Sequence, residues 1–170
     1  KALEGQTVGA LAAADGKDPL DWLLDFGDSE DFATMFNAQI LNADEDEVVK
    51  LLKSPHSTIG LADAGAHLFL FCDADFGLHL LGHWVRERGD FTLEEAVYEL
   101  TSKQAKSYGI ERRGELRVGY HADLIMFDPA TVGRGKKERV FDLPTGASRL
   151  VRSSIGLHGI WVNGVRVADE

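Results

Sequence analysis

The sequence has a single cysteine, Cys72, and four prolines in 170 residues. It has no apolar run near the ~18 residues that a membrane-spanning helix needs. A lone cysteine excludes an intrachain disulfide and suits a reducing, cytoplasmic compartment. Basic residues are also scarce, with 18 Lys and Arg against 28 Asp and Glu, a net charge of −10. Nucleic acid and anionic membrane attract clustered Lys and Arg, so neither is an expected partner. The opening residues carry no signal-peptide pattern. The first residue is Lys, set close to a helix signal, so a truncated chain is expected.

What is present is ordinary for a globular domain with a real core: 44% hydrophobic and 27% charged residues. Thr7 can cap a first helix, and Asp18-Pro19 opens a second that Gly27 can close. Residues 33–40 read as a buried strand. Asn42 with Glu45 resembles a capping box for a helix carrying Val48, Val49, Leu51 and Leu52. Residues 58–62 read as a second strand, 64–77 as a long loop, and 77–88 as a helix. Thr92 with Glu95 is a further capping box, and its helix ends near Gly109. Helix–strand alternation of this kind implies parallel strands with helical crossovers. Two such strands do not make a sheet alone, so further strands must come from outside this stretch.

After residue 110 the texture changes to short β-type segments at 115–118, 124–127, 138–141 and 159–163. Asn163-Gly164 then signals a hairpin into Val165-Arg166-Val167. The boundary is therefore set near 110, between residues 1–110 and 111–170. The basic stretch 133–139 reads as a solvated hairpin tip.

Chemistry concentrates at Asp63, which closes the strand at 58–62 and precedes Ala64-Gly65-Ala66-His67. A carboxylate at a strand tip reads equally as a turn cap or as a metal ligand that also takes a proton from water. His67 lies in the same loop, where it either contacts substrate or simply hydrogen-bonds backbone. His79 and His83 have the i, i+4 spacing of a helical metal pair. They lack the Glu of the zinc-protease motif, which favours packing or surface roles. Asp73 and Asp75 lack the ligand register of a calcium loop and read as loop caps. Cys72 has no cationic neighbour in sequence and reads as a buried, inert thiol. Asp123 opens a strand, which favours a structural role.

The pattern Gly-x4-Gly-x2-Ala-Asp-Leu-x2-Phe-Asp at 114–128 resembles the amidohydrolase superfamily. Leu61 to His67, Leu80 to Arg86, Asp142 to Ala147 and Val162-Asn163-Gly164 are similar to its N-acyl-D-amino-acid deacylase branch. The resemblance implies an α/β fold: the C-terminal part of a (β/α)8 TIM-type barrel plus strands of a small flanking β-sandwich. It makes 33–40 and 58–62 roughly the seventh and eighth barrel strands. It makes Asp63 a zinc (or similar metal) ligand and proton acceptor, with His67 and His79 as substrate contacts. The substrate implied is a small N-acylated amino acid or a relative of one.

The family's other ligands lie upstream, including an His-x-His pair that this sequence lacks, and Cys72 falls downstream of Asp63. The chain alone is therefore expected to be inactive, and exposed strand edges are expected to drive self-association. Ala62 stands where many relatives have Ser. The first arginine after Asp63 is Arg86, so the loop offers no guanidinium clamp for a substrate carboxylate. Two other readings stay open: a non-catalytic module on the same scaffold, and a dihydroorotase-like cyclic amidase.

Overall fold

The computed structural model describes residues 3–38, 41–60, 62, 65 and 67–168. The chain is mixed helix and strand and divides into two units, Lys1–Ala43 and Asp44–Glu170.

In the first unit, α1 (Val8–Ala14) starts on Thr7, whose hydroxyl accepts from the Ala10 amide. Helix α2 (Pro19–Ser29) starts on Asp18, which accepts from Leu20, with proline in the first turn. The indole of Trp22 donates to Asp15 at 2.7 Å and stacks on Phe26 at 4.9 Å, locking α1 to α2. Gly27 does not end α2 as its composition suggests; the helix runs on to Ser29. Gly27 instead leaves room for the Phe32 ring, which would lie 2.9 Å from a Cβ there. The expected strand at 33–40 is not formed over 33–38, and positions 39 and 40 lie outside the described residues. Met35 and Phe36 are exposed, and no strand among the described residues pairs with this stretch.

The second unit holds the main core. Helix α3 (Glu45–Leu52) is capped by Asp44, not Asn42; Asn42 takes a left-handed conformation two residues before it. Helix α4 (Phe76–His79) passes into a π-helix over Leu80–Glu87. Helix α5 (Leu93–Leu100) has the full Thr92–Glu95 capping box, and α6 (Ser102–Ser107) follows directly. Leu80, Leu81, Trp84, Phe91, Ala96 and Val132 form the buried cluster, with Val48, Val49, Leu52, Phe127 and Leu157 packed on it. Gly82 brings the π-helix against the strand layer: a Cβ there would meet the Val132 carbonyl at 3.0 Å.

Five strands follow: β1 (Leu124–Phe127), β2 (Gly133–Val140), β3 (Arg149–Ile155), β4 (Leu157–Val162) and β5 (Val165–Ala168). They form a sheet in the order β1-β4-β5 and a separate β2-β3 ribbon. The ladders among the described residues all lie within 124–168 and are antiparallel, so they do not bear on the parallel pairing expected before residue 110. Residues 58–60 and 62 are not in a ladder; the Ile59 carbonyl accepts from Gln104 Nε2 at 2.8 Å instead. The strand expected at 115–118 is not formed: the segment is irregular, with Leu116 and Val118 strongly exposed. The stretch 133–139 is not a hairpin tip but most of β2, and β3 is a strand that sequence reading passed over.

The glycine and aspartate cadence at 114–128 has a structural cause. Gly114 is left-handed, and a Cβ there would press on Ser102 and Thr101 at 3.0 Å. Arg113 pairs with Asp123 and also donates to Asn163 Oδ1 at 2.8 Å. Asp123 in turn accepts from the Asn163 amide at 2.8 Å. These contacts pin the β4–β5 turn to the start of β1, so Asp123 is structural.

Candidate functional site

Asp63 lies outside the described residues, so the site is built from what surrounds it in the sequence. Downstream, His67 is exposed and left-handed (φ 52°), and its carbonyl accepts from the amides of Leu70 and Phe71. This turn ends the loop's first limb and leaves the His67 imidazole edge-on to the Phe71 ring at 6.0 Å. Cys72 is half-buried rather than buried.

Asp75 closes the loop and precedes α4. It is not a cap: its carboxylate makes no hydrogen bond to the helix. It faces two guanidinium groups instead, Arg152 at 3.2 Å and Arg134 at 3.9 Å. Both oxygens lack aligned hydrogen bonds. The pair therefore holds mainly by charge in a poorly solvated setting, where losing one partner strands the other.

One turn further on, His79 stacks parallel on His83 with ring centroids 4.8 Å apart, and both meet the edge or face of Trp84. Burial, then Arg134, then His83, push the His79 imidazole down to about 4. His79 is thus neutral near pH 7, able to donate from one ring nitrogen and accept at the other. His83 has a different role. Its Nε2 meets Glu45 of α3 and its Nδ1 meets Glu87, each at 2.8 Å. The ring therefore bridges a carboxylate of α3 and one on its own helix. Arg88 adds links to Glu45 (2.9 Å), Asp46 (2.7 Å) and Asp90 (2.6 Å). The i, i+4 histidine pair is therefore a packing and latching device between α3 and the π-helix. The contacts of His67 and of His79 do not overlap.

A pH dependence follows. Between pH 6.5 and about 4, the unfolded chain takes up a proton that folded His79 refuses, so stability falls as the solution is acidified. Arg113 holds Asp123 below the ordinary carboxylate range, and Arg149 does the same for Asp142. Amide and hydroxyl donors from Ala130 and Thr131 depress Asp128. These groups extend the same loss at still lower pH. The melting temperature is expected to drop steadily from pH 6.5 to about 4 and to drop less in His79→Gln. A flat profile in the parent contradicts this.

The chain can now be placed among known proteins. The family described as "Amidohydrolase family" matches residues 1–168. The chain belongs to the amidohydrolase family. Within it, the chain is 41% identical over 91 residues to a D-aminoacylase of Alcaligenes xylosoxydans xylosoxydans. That match covers 54% of this chain and 17% of the relative. An N-acyl-D-aspartate deacylase of the same organism is also 41% identical over 91 residues, covering 54% and 16%.

Among solved structures, a D-aminoacylase aligns with TM-score 0.55 and 28% identity over 99% of this chain and 32% of that one. An N-acyl-D-glutamate deacylase of Bordetella bronchiseptica, complexed with zinc and a phosphonate inhibitor, aligns with TM-score 0.52 and 28% identity. It covers 97% of this chain and 33% of that one. This amidohydrolase chain thus spans 17% or less of the length of those curated relatives and about a third of those structures.

Sequence reasoning missed Asp75, Arg134, Arg139 and Arg152 as a group, because Asp75 lies 59 and 77 positions from Arg134 and Arg152 and meets them through β3 and the first part of β2, which it did not assign. The one available signal was six basic residues spaced along two β-capable stretches.

Proposed function

We propose that the chain is part of a metal-dependent hydrolase that cleaves the C–N amide bond of an N-acyl amino acid. The observation that carries this reading is the family match over 168 residues, joined to relatives named as D-aminoacylase and N-acyl-D-aspartate deacylase. In this reading residues 1–110 are the last strand–helix units of a (β/α)8 barrel, and 111–170 are strands of a small flanking β-sandwich. One feature supports the sandwich: Ile125, Val162, Val165 and Val167 share a face of the β1-β4-β5 sheet and are 62%, 44%, 66% and 58% exposed. An apolar sheet face of this kind normally packs on a second layer.

Asp63 takes the role of metal ligand and acceptor of the proton released as water attacks the amide carbonyl. His67 contacts the substrate from its exposed turn. His79, neutral and half-buried, offers a hydrogen bond without adding charge. Among the described residues no three His, Cys, Asp or Glu side chains gather into a metal cage, so these residues do not by themselves fit a metal. A metal centre must draw its other ligands from beyond this stretch, and zinc there would polarise the carbonyl and acidify water.

Two results test the reading. The intact protein that carries this chain should release free amino acid from N-acetyl-D-amino acids, and a chelator should abolish the activity. The 170-residue chain alone should release none and should self-associate in light scattering through its uncovered sheet face. An intact protein inert toward N-acyl amino acids of either hand removes the reading, as does a fully active isolated chain.

A further inference from the structure

The β2-β3 ribbon carries an unusual arginine face. Arg139 pairs with Leu150 and Lys137 with Arg152, so these four side chains share one side. Arg134 is an odd number of residues from both Lys137 and Arg139, and in a regular strand it would point the other way. The register shifts between Arg134 and Lys137, and this irregularity turns Arg134 onto the same face, opposite Ser154. Gly135 makes the shift possible: a Cβ there would lie 2.6 Å from the Ser153 carbonyl oxygen.

This face meets the 67–75 loop at both ends. At the first end, the Leu150 amide on the outer edge of β3 donates to the Leu68 carbonyl at 2.9 Å. Arg139 donates to the Phe69 carbonyl at 3.1 Å, and its guanidinium lies over the Phe69 ring at 4.3 Å. Ser148 holds the same guanidinium from behind at 3.0 Å. At the second end, Arg152 and Arg134 grip Asp75, and Arg152 is steadied by the Gly135 carbonyl at 3.3 Å. Between the clamps the loop is left open, with Leu70 and Phe71 at 53% and 43% exposure.

We propose that this arginine face fixes both ends of the 67–75 loop, and that Arg139 and Arg152 are positioning residues for substrate capture by that loop. The proposal rests on the hydrolase reading, in which His67 contacts the substrate. It also accounts for a loop that carries no arginine yet must be held still: the cations sit on the neighbouring ribbon and act on its backbone and on Asp75. Neither arginine needs to touch the reacting atoms. Holding a binding loop in place lowers the entropy lost on substrate binding, so the effect falls on KM rather than on the chemical step.

The test uses the intact enzyme with Arg139→Ala, Arg139→Lys and Arg152→Ala, read by hydrogen exchange and by kinetics. The Leu150 amide is the direct reporter, because its acceptor is the loop. In Arg139→Ala its exchange, and that of Leu70 and Phe71, should rise about tenfold or more, with KM rising about tenfold and kcat changing less than about threefold. Arg152→Ala should do the same to KM through the Asp75 end. Arg139→Lys keeps a cation over Phe69 and should recover most of the loss. A role in general stability alone would lower the active fraction, and so kcat, at constant KM. Unchanged exchange overturns the proposal, and so does faster exchange with KM unmoved. An intact parent without amide hydrolysis defeats the hydrolase reading instead; the exchange measurement needs no substrate and still decides whether the ribbon holds the loop.

Discussion

Trp84→Ala should lower the stability of the second unit by about 3–5 kcal/mol, a large share of what a domain normally has. The indole is 5% exposed and sits in the buried cluster with Leu80, Leu81, Phe91, Ala96 and Val132. It does more than fill volume. His79 and His83 meet it at 6.2 and 5.4 Å, and the Arg88 guanidinium lies 5.2 Å from the ring centroid. Removing it leaves a cavity where the π-helix crosses β2, and also frees the partners that latch α3. Urea titration checks the size of the effect, and Trp84→Phe should cost clearly less, since an aromatic ring still fills most of the site. A loss under about 1 kcal/mol in the alanine variant would mean that the helical core does not depend on this residue.

The second large effect belongs to Asp63. In the intact enzyme, Asp63→Asn should cut turnover by about two to four orders of magnitude while leaving the melting temperature within a few degrees. The amide has nearly the same shape but is not a base near neutral pH, and it is a much poorer ligand for a divalent cation. The discriminating comparison is with His67→Ala. A residue that contacts substrate should raise KM, whereas loss of the proton acceptor should act on kcat. Equal activity in parent and Asp63→Asn would remove this side chain from the reaction.

Much of the local structure can be read from the chain because its causes are local. Thr7, Asp18 and the Thr92–Glu95 box announce three helix starts, and each caps as its chemistry dictates. Leu124–Phe127 and the Asn163-Gly164 hairpin are equally plain, since a short apolar run and a left-handed turn pair are local signals. Other features depend on partners. The apolar stretch 33–38 and the segment at 58–60 have strand-like composition but no adjacent strand among the described residues, and backbone groups without a neighbour cannot form a ladder. Strand β3 and the first part of β2 were hidden for the opposite reason. The basic residues of 133–139 suggest a solvated turn, yet Arg134 and Arg152 clamp Asp75 and Arg139 clamps the loop backbone. The π-helix at 80–87 has an α-like apolar stripe and no sequence mark of its own; its close contact with Val132 through Gly82 is a tertiary event.

The candidate site divides along the same line. Asp63 and the histidine four residues on stand out in sequence, because carboxylate, small residues and imidazole stand in one short run. The depression of His79 is not visible, since it comes from burial and from Arg134, which is 55 positions away. Likewise the second duty of Asp75 depends on two strands that follow it by more than fifty residues.

The account turns on Asp63, and a crystal structure of the intact protein grown with zinc tests it most directly. Anomalous scattering should place a zinc ion about 2.0–2.2 Å from a carboxylate oxygen of Asp63. A metal bound elsewhere, with that carboxylate folded into its own turn or facing bulk water, would contradict the account.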